Sequence, residues 1–492
     1  MRRRSRPNSG STGVVYRELF ALAAQAGLRV FMTTDIMFYT SALTRDPGRN
    51  TGPLVRWWQQ ALQSVFQEFP DLAGVIMRFG EADGVDVKDT FRSELVLQTL
   101  KQVRQFLAGL LPICERYDKL LVFRTWSVGA HQVGDLMWHA GTFRKVFASL
   151  HSPHLIISMK YGESDFFRFL LLNAHFFQGE HKKLIEFQAR REYEGFGEYP
   201  AFVGWEYERY MHALRHIPNV VGASVWCQTG GWGTFRRRTY LANSSIWVEL
   251  NTFVAAQLCR GASCEQAVEQ FCCRFYPKIA VQPFLQFLHL ADEVIANLLY
   301  IRELAERTLF FRRSRVPLLL HVYWDRVFIT PWMRAVLRCM VTDHQRAIAE
   351  GWNALQTLTT MQQLATAHQL PQLGLQFQYD TFELLATARE YFFGEVTHTL
   401  QNRLQALSQR YRATYYWRYP MQTSDTDGMM HSRYFPLLLR WILREKRGYR
   451  LMDHLLLLKL LTLVHPLLRR WYRRLLPSSI CSRGMGIEVV LK

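Results

Sequence analysis

The 492-residue sequence lacks an uninterrupted apolar run long enough to span a bilayer. The nearest candidate, Leu455–Leu468, is short and carries Lys459, His465 and Pro466, so it reads as a buried or surface-docking helix. The sequence reads as having no convincing export signal. Arg2-Arg3-Arg4 is followed by a Ser/Gly-rich stretch, and Val14–Ala26 is broken by Arg17 and Glu18, which leaves no clean apolar core. No Cys-x-x-Cys pair occurs among the eight cysteines. Cys259 and Cys264 have no His or Cys pair to complete a zinc site, so the sequence implies neither metal nor other cofactor. The expected setting is a reducing, cytoplasmic one in which cysteines serve as small apolar groups. No G-x-G-x-x-G follows any strand pattern, which removes the dinucleotide-binding fingerprint.

Acidic residues are in short supply. Against 60 Lys and Arg stand 41 Asp and Glu, a net charge of +19. Such an excess favours anionic partners: nucleic acid, an acidic membrane surface or an acidic polysaccharide. The charge concentrates at Arg2–Arg6, Arg236–Arg238 and Arg433–Arg474. The last stretch mixes basic residues with Leu, Trp and Tyr. It reads as the Arg-rich outer face of a helical bundle or as a surface that docks on anionic lipid or polymer. Without a recognisable nucleic-acid-binding signature, nucleic acid is disfavoured.

What is abundant is apolar and aromatic material, 49% and 14% of the chain, enough to bury large cores. The length points to two or three domains. Short β-type runs alternate with helical periodicity through the first half. The runs are Leu28–Thr33, Ala73–Phe79, Lys119–Thr125, His154–Lys160, Lys183–Phe187 and Val220–Trp226. The helical stretches are Val14–Ala26 before the first run, then Gly52–Glu68, Ser93–Tyr117, Gly141–Leu150, Phe166–Asn173 and Tyr199–His216. Ser244–Cys259 and Glu265–Phe275 follow. Alternation of this kind predicts an α/β fold with a parallel sheet and right-handed crossovers. From Ala280 onward only helical periodicity is visible, with the clearest linker at Met421–Met430. The expected division is therefore 1–278 as an incomplete (β/α)₈ barrel, 279–420 as a helical domain and 429–492 as a basic helical segment.

Polar side chains recur at or just past each run's C-terminal end: Asp35, Glu81, Arg124 with Trp126, Lys160 with Asp165, Glu192, and Gln228 with Trp232. That edge carries the active site in (β/α)₈ barrels. Glycosidic hydrolysis needs an acid for the leaving oxygen and a second carboxylate for water or carbon. Glu81 has apolar neighbours that raise an acid's pKa, against the simpler reading of a loop carboxylate paired with Arg78. Asp165 also reads as the cap of the next helix. Glu186, inside an apolar run, needs a partner such as Lys160. Glu192 also reads as half of an ion pair with Arg190 or Arg191. Aromatics at the same edge, Trp126, Trp226 and Trp232, suit the C–H faces of a sugar ring, although most aromatics of any chain belong to cores.

The segment Ile185-Glu186-Phe187-Gln188 with Glu192-Tyr193 resembles the L-E-F-Q…Q-E-Y-T-G segment of the α-glucuronidases, glycoside hydrolase family 67. Ser158-Met159-Lys160-Tyr161-Gly162 with Asp165-Phe166 is similar to that family's Q-I-K-N-G-P-I-D-F, and Phe123-Arg124 to the Y-R of an earlier strand. Val221-Gly222-Ala223, then Trp247 and Leu250-Asn251-Thr252, resemble its last strand and the helix after it. The resemblance spans roughly residues 28–278 and implies an inverting hydrolase that removes glucuronic acid from xylo-oligosaccharides. It assigns Glu81 as the acid, Asp165 and Glu192 as the groups that orient the attacking water, and Arg124 and Lys160 as the clamp on a sugar carboxylate. It also makes the run at Leu28 strand three of eight. Strands one and two and the family's N-terminal β domain have no counterpart. The acid segment Arg-Phe-Gly-Glu-Ala-Asp-Gly departs from the family's S-E-G-x-P-G-P, and Phe-Phe-Arg after Asp165 departs from Phe-Gln. Two further readings therefore stand beside hydrolysis. One is a catalytically inactive glycan-binding or scaffold protein, its open sheet edge covered by a partner, a second copy, the helical domain or further upstream sequence. The other is binding of anionic membrane or nucleic acid through the basic C-terminal segment.

Overall fold

The computed structural model describes residues 9–36, 50–80, 95–127, 131–228, 237, 239–241, 243–307, 310–311, 314–315, 326–416, 422–424 and 437. Six strands form one parallel sheet in sequential order: β1 (Val30–Asp35), β2 (Leu72–Arg78), β3 (Leu120–Arg124), β4 (Leu155–Lys160), β5 (Lys182–Gln188) and β6 (Val220–Trp226). Each falls within two residues of its sequence-predicted run. The central strands β3 and β4 are largely apolar runs, as a sheet covered on both faces requires. Consecutive strands pair as neighbours throughout, the order that a barrel wall has and a doubly wound sheet lacks. Gly74 lets β2 close on β3, since a Cβ there would lie 2.0 Å from the Leu120 carbonyl oxygen. Among the described residues β1 and β6 are paired on one side only.

The crossovers are α2 (Thr51–Glu68), α3 (Leu100–Arg116), α4 (Ala140–Phe147) and α5 (Gly204–Leu214), with α1 (Ser9–Gln25) before β1. Thr99 and Gln102 close a reciprocal capping box at the start of α3, later than the predicted Ser93 start. α1 leaves Val14, Val15, Tyr16, Leu19 and Leu22 exposed.

The predicted helix over Phe166–Asn173 does not form. Phe169 has φ +63°, which no helical turn accepts, and only a short 3₁₀ turn, Ala174–Phe177, follows. Tertiary contacts outweigh the local preference here. Phe166, Phe167 and Leu170 are buried in the core, Arg168 turns into a buried ion network, and the Tyr210 hydroxyl takes the Leu170 carbonyl at 2.6 Å.

Beyond β6 the chain runs through α6 (Ile246–Leu258), α7 (Cys264–Phe275), α8 (Val281–Val294) with a π-turn at Ile295–Leu299, and α9 (Arg302–Glu306). α10 (Pro331–Met340), α11 (His344–Ala367), α12 (Leu375–Phe393) and α13 (His398–Thr414) complete the helical region. This region is not purely helical. Arg326–Phe328 pairs in parallel with Gln422–Ser424, inside the predicted linker, and Phe310–Phe311 with Ser314–Arg315. One contiguous hydrophobic cluster runs from Ile36 through the sheet to Tyr415. Trp247 on α6 donates to the Leu373 carbonyl at 2.9 Å, and Gln378 on α12 to that of Pro200 at 3.3 Å. The basic segment 429–492 lies outside the described residues save Leu437. No helix among the described residues is long and apolar enough to cross a membrane, and the seven described cysteines are free thiols.

Gly374 sits where the helical region meets the loop after β5. Its φ is +78°, and a Cβ would lie 1.8 Å from the Glu198 carbonyl oxygen. Gly374→Ala is therefore expected to lower unfolding stability by about 3 kcal/mol, combining left-handed strain with a backbone clash. Urea unfolding of the variant beside the unchanged chain measures this.

Candidate functional site

The C-terminal edge of the sheet gathers charged side chains into separate, internally balanced groups. The first is at its margin. Arg78 at the end of β2 grips Asp35 at the end of β1 through two bonds of 2.5 and 2.8 Å. The pairing expected between Arg78 and Glu81 cannot be followed, because Glu81 and Trp232 lie outside the described residues.

The second group is the floor. Glu186 projects from β5 and is fully buried. Arg124 from β3 donates to both of its oxygens, at 2.8 and 2.6 Å, and the Ser158 hydroxyl from β4 donates at 2.7 Å. The guanidinium in turn lies 4.2 Å from the Trp226 ring centroid. Burial alone would push the Glu186 carboxyl up. The charge and paired bonds of Arg124, helped by Lys160 and Ser158, bring it below the ordinary carboxylate range. Glu186 thus has the partner that its place in an apolar strand demands. That partner is chiefly Arg124, with Lys160 acting through its charge.

The third group lies at the mouth. Lys160 ends β4 and forms an ion pair with Asp165, its ammonium 3.4 Å from the Trp126 ring centroid and 4.3 Å from that of Phe166. Asp165 also takes the Phe166 N–H at 2.8 Å, so it caps a turn rather than a helix. The Tyr193 hydroxyl donates to the other Asp165 oxygen at 2.8 Å, and burial, then the charges of Asp165 and Glu192, push its pKa up. Gln188 at the end of β5 accepts the Glu192 N–H at 2.7 Å, which fixes the backbone there. Arg190 donates to Gln228 at 2.9 Å, bridging the loops after β5 and β6, and its charge acts on Glu192 and Glu198. Asp165, Glu192, Lys160 and Trp126 are thus brought together, with Arg124, Glu186 and Trp226 one layer below. Asp35 stands apart, three strands from β4.

A fourth group, unsuspected from the sequence, lies beneath the mouth. Glu194 is buried and accepts from two guanidinium groups. Arg168 reaches it at 3.0 and 3.1 Å, and Arg191 at 3.0 and 2.5 Å. Tyr300, from the helical region, donates to the same carboxylate at 2.5 Å, and Asp292 on α8 pairs with Arg168. Against burial, Arg168 and Arg191 hold the Glu194 carboxyl at about 2. Two cations and two carboxylates balance there, and the neighbouring Glu206 on α5 pairs instead with Arg209 at 3.8 Å. Burial raises the Glu206 pKa, against the charges of Arg168, Arg191 and Arg209. A crowded run of charge, Arg190–Glu194, is the one sequence signal for this network, and Tyr300 has none. Among the described residues no cluster of His, Cys, Asp or Glu is arranged to hold a metal ion.

Comparison with known protein families gives no match, and comparison with curated proteins gives none. Among solved structures, the chain is similar to a GH138 enzyme targeting pectin rhamnogalacturonan II, with 9% identity and a TM-score of 0.44. The match covers 82% of this chain and 52% of that one, so the chain spans about half of the enzyme's length. A likeness this distant carries no argument about the site.

Glu194→Gln is expected to destabilise the fold by about 3 kcal/mol, because it leaves two buried cations short of a counter-charge. In the unmodified chain the Glu194 carboxyl falls from 4.5 to about 2 on folding. Its contribution is therefore present above the ordinary carboxylate pKa and lost as pH falls from there toward 2. Glu206 behaves in the opposite sense, stabilising below its unfolded pKa and costing stability as pH rises through its folded one. Thermal unfolding against pH, with Glu206→Gln flattening only the alkaline limb, measures both.

Proposed function

We propose that this chain is a carbohydrate-active protein of the glycoside hydrolase kind. In this reading Asp165 and Glu192 orient the water that attacks an anomeric carbon, and Glu81 protonates the leaving oxygen. Residues 1–278 carry the barrel-type part, which two further β/α units beside β1 and β6 would close to eight strands. Residues 279–420 carry the helical part. The observation that carries the reading is the Asp165 carboxylate, paired with Lys160 and held by the Tyr193 hydroxyl of the next βα loop, where Glu192 is the neighbouring residue. It lies at the edge of a parallel sheet where barrel enzymes work. Trp126 supplies an aromatic wall beside them. Cleavage proceeds with inversion on this assignment, since water and not a carboxylate attacks. Uronic-acid-containing oligosaccharides and polysaccharides are the substrate class that the family resemblance suggests.

One observation favours a second reading, a glycan-binding relative without turnover. Both cations assigned to a sugar carboxylate already have carboxylate partners, Arg124 with Glu186 and Lys160 with Asp165. A uronate would have to share them.

Incubation with uronosyl and neutral xylo-oligosaccharides, followed by proton NMR of the freshly released anomer, separates the readings. Hydrolysis with inversion is expected for the unmodified chain. Glu81→Gln, Asp165→Asn and Glu192→Gln should each lower kcat/KM by about 100-fold or more. Unchanged rates in those variants would remove the assignment, and saturable binding without cleavage would favour the second reading.

A further inference from the structure

Glu206 on α5 is a buried acid that the scheme above does not use, and it stands beside a phenol that is already committed. The Tyr210 hydroxyl donates to the Leu170 carbonyl at 2.6 Å, and Glu206 Oε1 lies 3.2 Å from the same hydroxyl oxygen. Glu206 Oε2 is buried without a hydrogen-bond partner among the described residues. The Tyr210 ring has no room to swing away, since it is buried and stacks on Tyr161, 5.1 Å between centroids.

A phenol has one proton to donate. Given to the Leu170 carbonyl, it leaves lone pairs facing Glu206 Oε1, which repel a carboxylate oxygen. A carboxylic acid O–H donates into those lone pairs instead, and its other oxygen, uncharged, is far less costly to bury without a partner. Ionisation reverses the preference, because a carboxylate is a stronger acceptor for the phenolic proton than a neutral carbonyl. We propose that Glu206 and Tyr210 form a proton-gated latch on residues 166–173. With Glu206 protonated, the Tyr210 hydroxyl holds the Leu170 carbonyl; when Glu206 loses its proton, the hydroxyl turns to the carboxylate and frees that carbonyl. The Glu206 O–H is the bond that breaks, and its proton leaves to water at the 13% of the side chain that solvent touches. The phenolic O–H stays intact and only rotates.

The surroundings set the sense of the gate. Burial raises the Glu206 pKa and Glu194 adds to that, against the charges of Arg168, Arg191 and Arg209. Arg168 and Arg191, in the loops after β4 and β5, are turned to Glu194, and Arg168 also to Asp292 on α8. Arg209, on α5 itself, is 68% exposed and 3.8 Å away, so water screens it. Tyr207 on α5 and Tyr161 just past β4 complete the ring of groups, both held neutral by burial. A raised carboxyl keeps the latch closed below the ordinary carboxylate range and opens it as pH climbs through the folded value. The segment it holds forms no helix, and Phe169 within it has φ +63°. Its other ties include the Tyr161 hydroxyl on the Phe167 carbonyl and the Asn173 N–H on the Tyr161 carbonyl, both at 2.8 Å. The segment carries Arg168 and begins directly after Asp165, so its release loosens the edge where Asp165 stands.

The test is hydrogen exchange of the full chain, read by mass spectrometry from mildly acid to alkaline pH and scaled to the intrinsic rate at each pH. In the unmodified chain, protection of the peptide covering residues 166–173 should fall by about 10-fold or more as pH rises past the ordinary carboxylate range. Helix α12 should keep its protection over the same range. Glu206→Gln, whose amide N–H donates to the phenol oxygen as the acid does, should hold the segment protected throughout. Tyr210→Phe should leave it poorly protected at every pH. Protection that does not change with pH in the unmodified chain, or the same loss in Glu206→Gln, would overturn the proposal. So would an equal loss in α12, the mark of general unfolding. Should Glu206→Gln fail to fold, Tyr210→Phe decides, because a pH-dependent loss that survives without the hydroxyl has another cause. The readout needs no substrate, so the latch and the hydrolase reading stand or fall separately.

Discussion

Two guanidinium groups closed on one buried carboxylate are the constraint on which the rest of the site depends. Arg168 belongs to the loop after β4, Arg191 and Glu194 to the loop after β5, and Tyr300 and Asp292 to the helical region. Removing these charges from water is costly, and only nearly complete hydrogen bonding offsets it. The network meets that demand: both Glu194 oxygens accept from both arginines, and Tyr300 adds a further donor. Asp165 lies three residues before Arg168, and Glu192 and Tyr193 fall between Arg191 and Glu194. The groups at the mouth are therefore set by the charges under it. The helical region takes part in building this edge of the sheet.

The same economy of charge runs through the whole edge. A chain with a net charge of +19 places its described cations here against carboxylates one by one: Arg78 with Asp35, Arg124 with Glu186, Lys160 with Asp165. Such pairing fixes side-chain directions at the strand ends, since a bidentate guanidinium permits little rotation. It also means that an incoming ligand meets organised dipoles and paired ions in place of a bare positive field. Organised groups of that kind favour orientation of a substrate over its capture at long range.

Much of the architecture was legible in the chain. The six strands could be placed within two residues, because short β-type runs stand out between helical periodicities and their ends are marked by polar residues. Their barrel-type order was expected from the missing dinucleotide fingerprint and from the polar residues that recur at the strand ends, since alternation with helices alone also fits a doubly wound sheet. Asp165, Glu192 and Lys160 could be located by their position after a strand. Phe166–Asn173 misled for an identifiable reason. Its apolar spacing fits a helix, but Phe166 and Phe167 both have to be buried, Arg168 has to reach Glu194, and Phe169 takes a positive φ to allow it. Long-range demands of this sort leave no mark within an eight-residue window.

What the sequence by itself determined is the parallel α/β character, the strand positions and the presence of carboxylates along one edge, because each rests on periodicities of a few residues. What only the tertiary structure decided is which charges meet. Arg124 is 62 residues from Glu186, and Tyr300 is 106 from Glu194. Along the chain any arginine is an equal partner for any acid. Burial makes the choice, since in a low-dielectric interior an ion without a partner at hydrogen-bonding distance is too costly to keep.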